Sequence, residues 1–169
     1  HFDFVWRFAA SRGVSAAALE AVVQEVFEAV HAEVSGFEEP SALRVGIASV
    51  SRHVVQRHLR KNGKLAPPEP PTAEELTPID EQDAEEPLHD KTPGQLLDFV
   101  LDKMSESQRE AFILRDMEGL SMAETSEILG VNENTLRVWL HDARTVFNGI
   151  SALVRAQRFW VTRESESPP

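Results

Sequence analysis

The chain has 169 residues, of which 41% are hydrophobic, and its formal net charge is −11. This length suits one domain or two small ones, and the apolar fraction is enough to form a core in either case. No apolar run is long enough to cross a bilayer and no secretory leader is visible. We therefore expect a soluble, cytoplasmic protein without membrane insertion.

Composition also argues against catalysis. The chain contains no cysteine, which excludes disulfides, thiolate nucleophiles and thiolate metal sites. Its six histidines are scattered without the H-x-x-x-H spacing of a zinc site, and no glycine-rich phosphate loop or G-x-S-x-G elbow is present. We predict that the protein is not an enzyme and has no catalytic residue, metal or cofactor.

Two helices are predicted at the start of the chain, and the first of them is expected to be buried. Residues 2–12 are dense in apolar and aromatic side chains and stop at Gly13, as a helix with a left-handed cap does. Ser15 can cap a second helix, whose acidic side is either a solvated surface or a docking site for a basic partner. The apolar stripe of this second helix is Val22, Val23, Val26, Phe27 and Val30.

A third helix is predicted from about Pro40 to Lys61, with apolar residues at helical spacing on one side. Its other side is the one concentrated basic face in the sequence. Arginines without intervening carboxylates suit a phosphate backbone, although a solvated helix exterior is the alternative. The residues of this face are Arg44, Arg52, His53, Gln56 and Arg60.

Residues 64–92 are predicted to be a flexible linker. The segment is rich in proline, carries nine carboxylates against two lysines, and has few large apolar side chains. Burial of so little apolar surface cannot offset the entropy lost on ordering. The chain is therefore predicted to divide into two helical domains, 1–63 and 93–152, followed by a tail, 153–169, that extends the last helix for a few turns.

Residues 105–147 have the pattern of a helix-turn-helix with a supporting helix in front. Ser121 and Glu124 form a capping box, Gly130 marks the end of that short helix, and Asn132 caps the longer helix that follows. Two helices joined by Gly-Val-Asn are typical of this motif, although an ordinary helical hairpin has the same periodicity. The predicted buried stripe of the longer helix is Leu136, Leu140, Ala143, Phe147 and Ile150.

The polar side of this longer helix is a candidate DNA-reading surface. The first turns of a recognition helix enter the major groove, where Arg, Asn and Thr pair with base edges or phosphates. The candidate residues are Asn134, Thr135, Arg137, His141 and Arg144.

The chain contains, in order, VVQEVF, the basic third helix, the acidic linker, SESQREAFILRDMEGLSMAETSEILGV and NTLRVWLHDAR. Taken together, these segments resemble a bacterial sigma factor of the extracytoplasmic-function class. The resemblance extends from about Phe4 to Ile150. It implies an all-α fold in which residues 1–63 are similar to the helical bundle of sigma region 2 and residues 93–152 to the helix-turn-helix of sigma region 4, joined by the acidic, proline-rich linker.

The resemblance implies an alternative sigma factor that directs core RNA polymerase to promoter DNA and is a partner of an anti-sigma factor. It assigns Gln24, Glu25 and Phe27 to polymerase binding. It assigns Arg44, Arg52, His53, Gln56, Arg57 and Arg60 to the minus-ten element. It assigns Asn132, Asn134, Thr135, Arg137, Trp139, His141 and Arg144 to the minus-thirty-five element.

Some residues depart from the family pattern. Gly46 replaces a usual tryptophan, and Trp139 and Asp142 replace usual arginines of the recognition helix. Asp142 would face phosphates unfavourably, and Trp139 could pack in the core, touch a thymine methyl or belong to a partner interface. Two other functions therefore stay open: a sigma-like decoy that binds an anti-sigma factor or other regulator without productive promoter recognition, and a DNA-binding regulator that does not bind polymerase.

Overall fold

The computed structural model describes residues 1–33, 40–63 and 87–166, and this part of the chain is helical with no strand. The predicted all-α fold is confirmed. Most of the predicted linker, residues 64–86, lies outside the described residues, as do residues 34–39 and 167–169.

The N-terminal module consists of α1 (Phe2–Ser11), α2 (Ala16–Glu33) and α3 (Pro40–Lys61). The predicted left-handed turn between α1 and α2 is present at Gly13, which has a φ of 85°. Apolar stripes from the three helices meet in one core, which includes Phe4, Val5, Phe8, Val22, Val26, Ile47, Val54 and Val55.

The C-terminal module consists of α4 (Pro93–Asp102), α5 (Glu106–Phe112), α6 (Met122–Leu129) and α7 (Glu133–Glu166), and α5 continues into a π-helical turn, Ile113–Met117. Capping boxes begin three of these helices, because a hydroxyl accepts from the backbone N–H three residues on and a longer side chain accepts in return. The pairs are Thr92 with Gln95, Ser105 with Gln108, and Ser121 with Glu124.

The structure corrects the C-terminal end of the predicted linker. Leu88 lies in a 3-10 turn, Leu88–Asp90, and is fully buried. The backbone N–H groups of Leu88 and His89 donate to Oε1 of Gln157 on α7 at 2.8 and 3.2 Å. Residues 87–92 therefore pack on the C-terminal module, and the predicted linker was too long. The tail continues the last helix for a few turns, as predicted, because α7 is helical as far as Glu166.

The two modules contact each other along α1 with α4 and along α3 with α6. Arg109 of α5 lies in this contact. Its guanidinium donates to the carbonyls of Leu101 at 2.6 Å and Met104 at 3.0 Å, and also to the carbonyl of Ser11 in α1. One side chain thus ties the end of α1 to the end of α4.

A buried carboxylate lies beside this contact. Glu110 has 7% of its side chain exposed and is 3.4 Å from Nε of Arg12 and 3.6 Å from Nε of Arg52, both in the N-terminal module. Arg12, which is 2% exposed, also pairs with Glu106. Burial raises the pKa of Glu110, and the two arginines act in the opposite direction. We call Arg12, Arg52, Glu106 and Glu110 the interdomain cluster.

Candidate nucleic-acid interface

The helix-turn-helix has the local geometry that its sequence predicted. The Ser121 hydroxyl accepts from the Glu124 N–H at 3.2 Å, and the Glu124 carboxylate accepts from the Ser121 N–H at 2.7 Å, which lowers the pKa of Glu124. Gly130 ends α6 in the left-handed region with a φ of 70°. The Asn132 side chain then accepts from the Thr135 N–H at 2.9 Å and caps α7. These contacts fix the turn between α6 and α7.

The buried side of α7 differs from the prediction at two aromatic residues. Trp139 is 5% exposed and lies in the core, so the structure corrects its assignment to the DNA-contacting set. Phe147, predicted to be buried, is 38% exposed and contacts the ring of Phe112 at a centroid distance of 5.5 Å. Asp142 is 8% exposed, so its carboxylate does not lie on the exposed polar face of α7. The expected repulsion between Asp142 and DNA phosphates therefore does not arise at that face.

The polar side chains on the exposed face at the start of α7 are held by hydrogen bonds to their neighbours. Arg137 donates to Oδ1 of Asn134 at 2.9 Å and to Oε2 of Glu133 at 3.1 Å. Arg144 makes a bidentate pair with Asp116 of the π-helical turn at 2.8 and 2.6 Å, and these hydrogen bonds raise the pKa of Arg144. Both arginine side chains remain more than half exposed. The face is therefore open to a ligand although its arginines are paired.

The predicted minus-ten residues do not form one open surface: some have carboxylate partners and others are exposed. Arg52 points towards the C-terminal module, where it pairs with Glu110 and approaches the Leu129 carbonyl at 3.5 Å. Arg57 instead pairs with Glu25 of α2 at 2.5 Å. His53 and Arg60 are exposed, and Gln56 is partly exposed.

Arg44, the remaining member of that set, is exposed, and its charge affects the pKa of Glu118 in the C-terminal module. Burial raises the pKa of Glu118, while the N-terminus, Arg7 and Arg44 lower it. The basic face of α3 is therefore directed in part at the C-terminal module in this closed arrangement.

The predicted polymerase-binding residues lie on one stretch of α2. Gln24 is exposed and donates to Glu28 at 2.8 Å. Phe27 is partly buried and stacks on Phe2 at 6.4 Å between centroids. Phe2 in turn stacks on Trp6 at 5.8 Å, and these two rings are 56% and 38% exposed. The sequence indicated that residues 2–12 form a buried helix, but two of its rings form an exposed aromatic cluster with Phe27.

Sequence reasoning missed the buried carboxylate of Glu110. A signal was present, because Glu110 directly precedes the run Ala111, Phe112, Ile113 and Leu114, all of which are buried. A charged residue that joins such a run is rarely buried unless it is paired. The partner could not be identified in the same way, since Arg12 and Arg52 lie 98 and 58 positions earlier in the chain.

Within residues 1–33, 40–63 and 87–166, none of the helices combines the length and hydropathy that crossing a bilayer requires. The same part of the chain contains no cluster of three side chains suited to holding a metal ion.

Comparison with known proteins supports the sequence resemblance. The family model of sigma-70, region 4 matches residues 94–145, which include α6 and the first part of α7. The ECF RNA polymerase sigma factor SigE of Mycolicibacterium smegmatis is 27% identical over 144 residues, which is 85% of this chain and 56% of SigE. The chain is thus similar to an extracytoplasmic-function sigma factor over most of its own length. It spans little more than half the length of that curated sigma factor.

The fold of this chain is also found in a solved structure. The sigma factor RpoE of Bartonella quintana, in complex with the anti-sigma factor NepR, superposes with a TM-score of 0.60 and is 21% identical. The match covers 91% of each chain, so the similarity includes both the N-terminal and the C-terminal module.

Proposed function

We propose that this chain is an alternative sigma factor that directs core RNA polymerase to specific promoters and has no catalytic activity of its own. The observation that supports the proposal is the exposed polar face at the start of α7, which lies within the segment that matches sigma region 4. In this proposal the face enters the major groove at the minus-thirty-five element. The contacting residues are Asn132, Asn134, Thr135, Arg137, His141 and Arg144.

The N-terminal module supplies the other proposed contacts, with residues 1–63 corresponding to region 2. Gln24, Glu25 and Phe27 would contact core polymerase, and the basic face of α3 would contact the minus-ten element. A phosphate has limited access to Arg52, because this side chain is 25% exposed and its guanidinium faces Glu110 of the C-terminal module at 3.6 Å. Minus-ten binding through Arg52 therefore requires the two modules to separate.

We also propose an anti-sigma factor as a partner and the cytoplasm as the location. The Bartonella sigma factor, whose fold matches this chain over 91% of its length, is bound to an anti-sigma factor. Promoter DNA and core polymerase, the other two proposed partners, are both found in the cytoplasm of a bacterium.

Reconstituted transcription tests the proposal. We expect core polymerase with this chain to transcribe from a promoter selected from a random pool. We expect Arg137→Ala to weaken promoter binding by about 1 to 3 kcal/mol, because a bidentate arginine contact to a base would be lost. Arg155→Ala is the matched control, since it removes an exposed arginine five turns further along α7. Failure to select any promoter would refute the proposed function.

A second candidate function, the sigma-like decoy, is favoured by one observation. Four arginines of the proposed DNA faces have carboxylate partners inside the chain: Arg52 with Glu110, Arg57 with Glu25, Arg137 with Glu133, and Arg144 with Asp116. Binding of an anti-sigma factor without affinity for DNA or core polymerase would select this function. DNA binding without polymerase contact would select the third, a separate regulator.

Removal of Asp116 tests whether the Arg144–Asp116 ion pair competes with DNA phosphates for Arg144. We expect Asp116→Ala to change the free energy of unfolding by less than about 1 kcal/mol, because the Arg144 side chain is 51% exposed and water can solvate its charge once the partner is removed. The freed Arg144 would add one phosphate contact, which steepens the slope of log affinity against log salt by about 0.9. Asp98→Ala is the control, because it also removes one negative charge, from an exposed position on α4. Equal salt slopes for the two variants would show that Arg144 does not contact phosphate.

A further inference from the structure

An unexplained apolar side chain lies in the middle of the polar face of α7. Val138 is 48% exposed, and it is the sixth residue of the helix. Its neighbours at i−4, i−1 and i+3 are Asn134, Arg137 and His141, all of which are exposed. Among residues 133–144, no other exposed side chain is apolar.

Helix stability does not account for a valine at this position. A β-branched residue is a poorer helix former than Ala, Lys or Glu, and Val138 recovers little of this cost by burial. Its one strongly preferred χ1 rotamer in a helix, however, holds the two methyl groups in a defined direction. Such a side chain is suited to a contact of fixed geometry that loses little side-chain entropy.

The chemistry of the major groove identifies what such a side chain can contact. Base edges there present hydrogen-bond donors and acceptors, and the one apolar group is the C5-methyl of thymine. Asn134 and Arg137 can serve the polar edges, whereas Val138 has no polar atom to offer. Its place on the second turn of α7 is within the part of a recognition helix that reaches base edges.

We propose that Val138 is a specificity-determining residue that reads the C5-methyl group of a thymine in the minus-thirty-five element. This inference rests on the proposed function, because it requires the start of α7 to enter the major groove. The face is already open, since Asn134, Arg137, Val138 and His141 are all exposed while the two modules are in contact. Thymine reading therefore does not require the separation of the modules.

The test removes only the methyl group from the DNA. The full chain, with core polymerase, is bound to a promoter selected from a random pool, and each thymine of the minus-thirty-five element is replaced in turn by deoxyuridine. We expect one replacement to weaken binding of the wild type about fourfold, the effect of one buried methyl-sized group. Val138→Ala should bind the thymine and deoxyuridine duplexes equally, and Val138→Ile should remain sensitive to the replacement.

Asn148→Ala, an exposed change ten residues later in α7, is the control and should keep the wild-type sensitivity. The inference is overturned if no deoxyuridine replacement affects the wild type, or if Val138→Ala keeps the same fourfold loss. Failure of the wild type to bind any duplex is a different outcome. It would overturn the proposed function as well, and it would be seen before any modified base is introduced.

Discussion

Replacement of Glu110 by alanine is expected to lower the free energy of unfolding by about 3 kcal/mol and to loosen the contact between the two modules. The physical reason is that Arg12, whose side chain is 2% exposed, would keep only Glu106 as a partner, and Arg52 would lose its carboxylate. A buried charge without adequate compensation is costly. Urea unfolding measures the loss of stability, and small-angle scattering measures the expected increase in radius of gyration.

Glu127→Ala is the matched control, because Glu127 is an exposed glutamate on α6. We expect its unfolding free energy to change by less than about 0.5 kcal/mol. Equal stability and equal dimensions for the Glu110 and Glu127 variants would show that the interdomain cluster does not hold the modules together.

The buried carboxylate also predicts a pH dependence of definite sign. Burial raises the pKa of Glu110 above its usual 4.5, so the folded state binds this proton more tightly than the unfolded state does. The contribution of Glu110 to stability therefore falls as pH rises from about 4.5 through the raised pKa, and it is constant above that value. Glu110→Gln does not titrate, so its stability relative to the wild type should rise over the same range. A change in the opposite direction would mean that Arg12 and Arg52 outweigh burial.

Replacement of Trp139 by alanine is expected to lower the free energy of unfolding by about 4 kcal/mol. Trp139 is 5% exposed and lies beside Leu136 and Leu140, both buried, so truncation leaves a cavity in the C-terminal core. Urea unfolding checks the loss. Trp139→Phe, which keeps much of the ring volume, should lose less.

Val138→Ala is the control for Trp139→Ala, because the neighbouring side chain is exposed and its truncation should change stability by less than about 0.5 kcal/mol. A Trp139→Ala variant that kept full stability but lost affinity for promoter DNA would contradict the core placement. It would restore Trp139 to the DNA-contacting set that the family resemblance implied.

Local features of this chain were predictable from sequence because they depend on residues close together in it. The capping box of Ser121 and Glu124, the left-handed Gly130 and the Asn132 cap are each formed by hydrogen bonds or backbone geometry within three or four residues. The exposed face of α7 followed in the same way from helical periodicity. The family resemblance rests on these same segments.

Periodicity was less reliable at the margins of each helix face. Trp139 lies at the edge of the stripe formed by Leu136 and Leu140, and Phe147 continues that stripe in sequence. Which of the two rings is buried depends on what packs against α7, and the structure buries Trp139 while leaving Phe147 38% exposed. The same reason explains Leu88, whose burial depends on the distant Gln157 and α7.

By itself the sequence determined the three N-terminal helices, the capped helix-turn-helix and the polar face of α7, since short-range hydrogen bonding and side-chain spacing specify all of these. Only the tertiary structure decided that the two modules close on each other and that Arg52 of the predicted minus-ten face is held by Glu110. Contacts between residues 58 or 98 positions apart depend on how whole helices dock. No local pattern of residues encodes that docking.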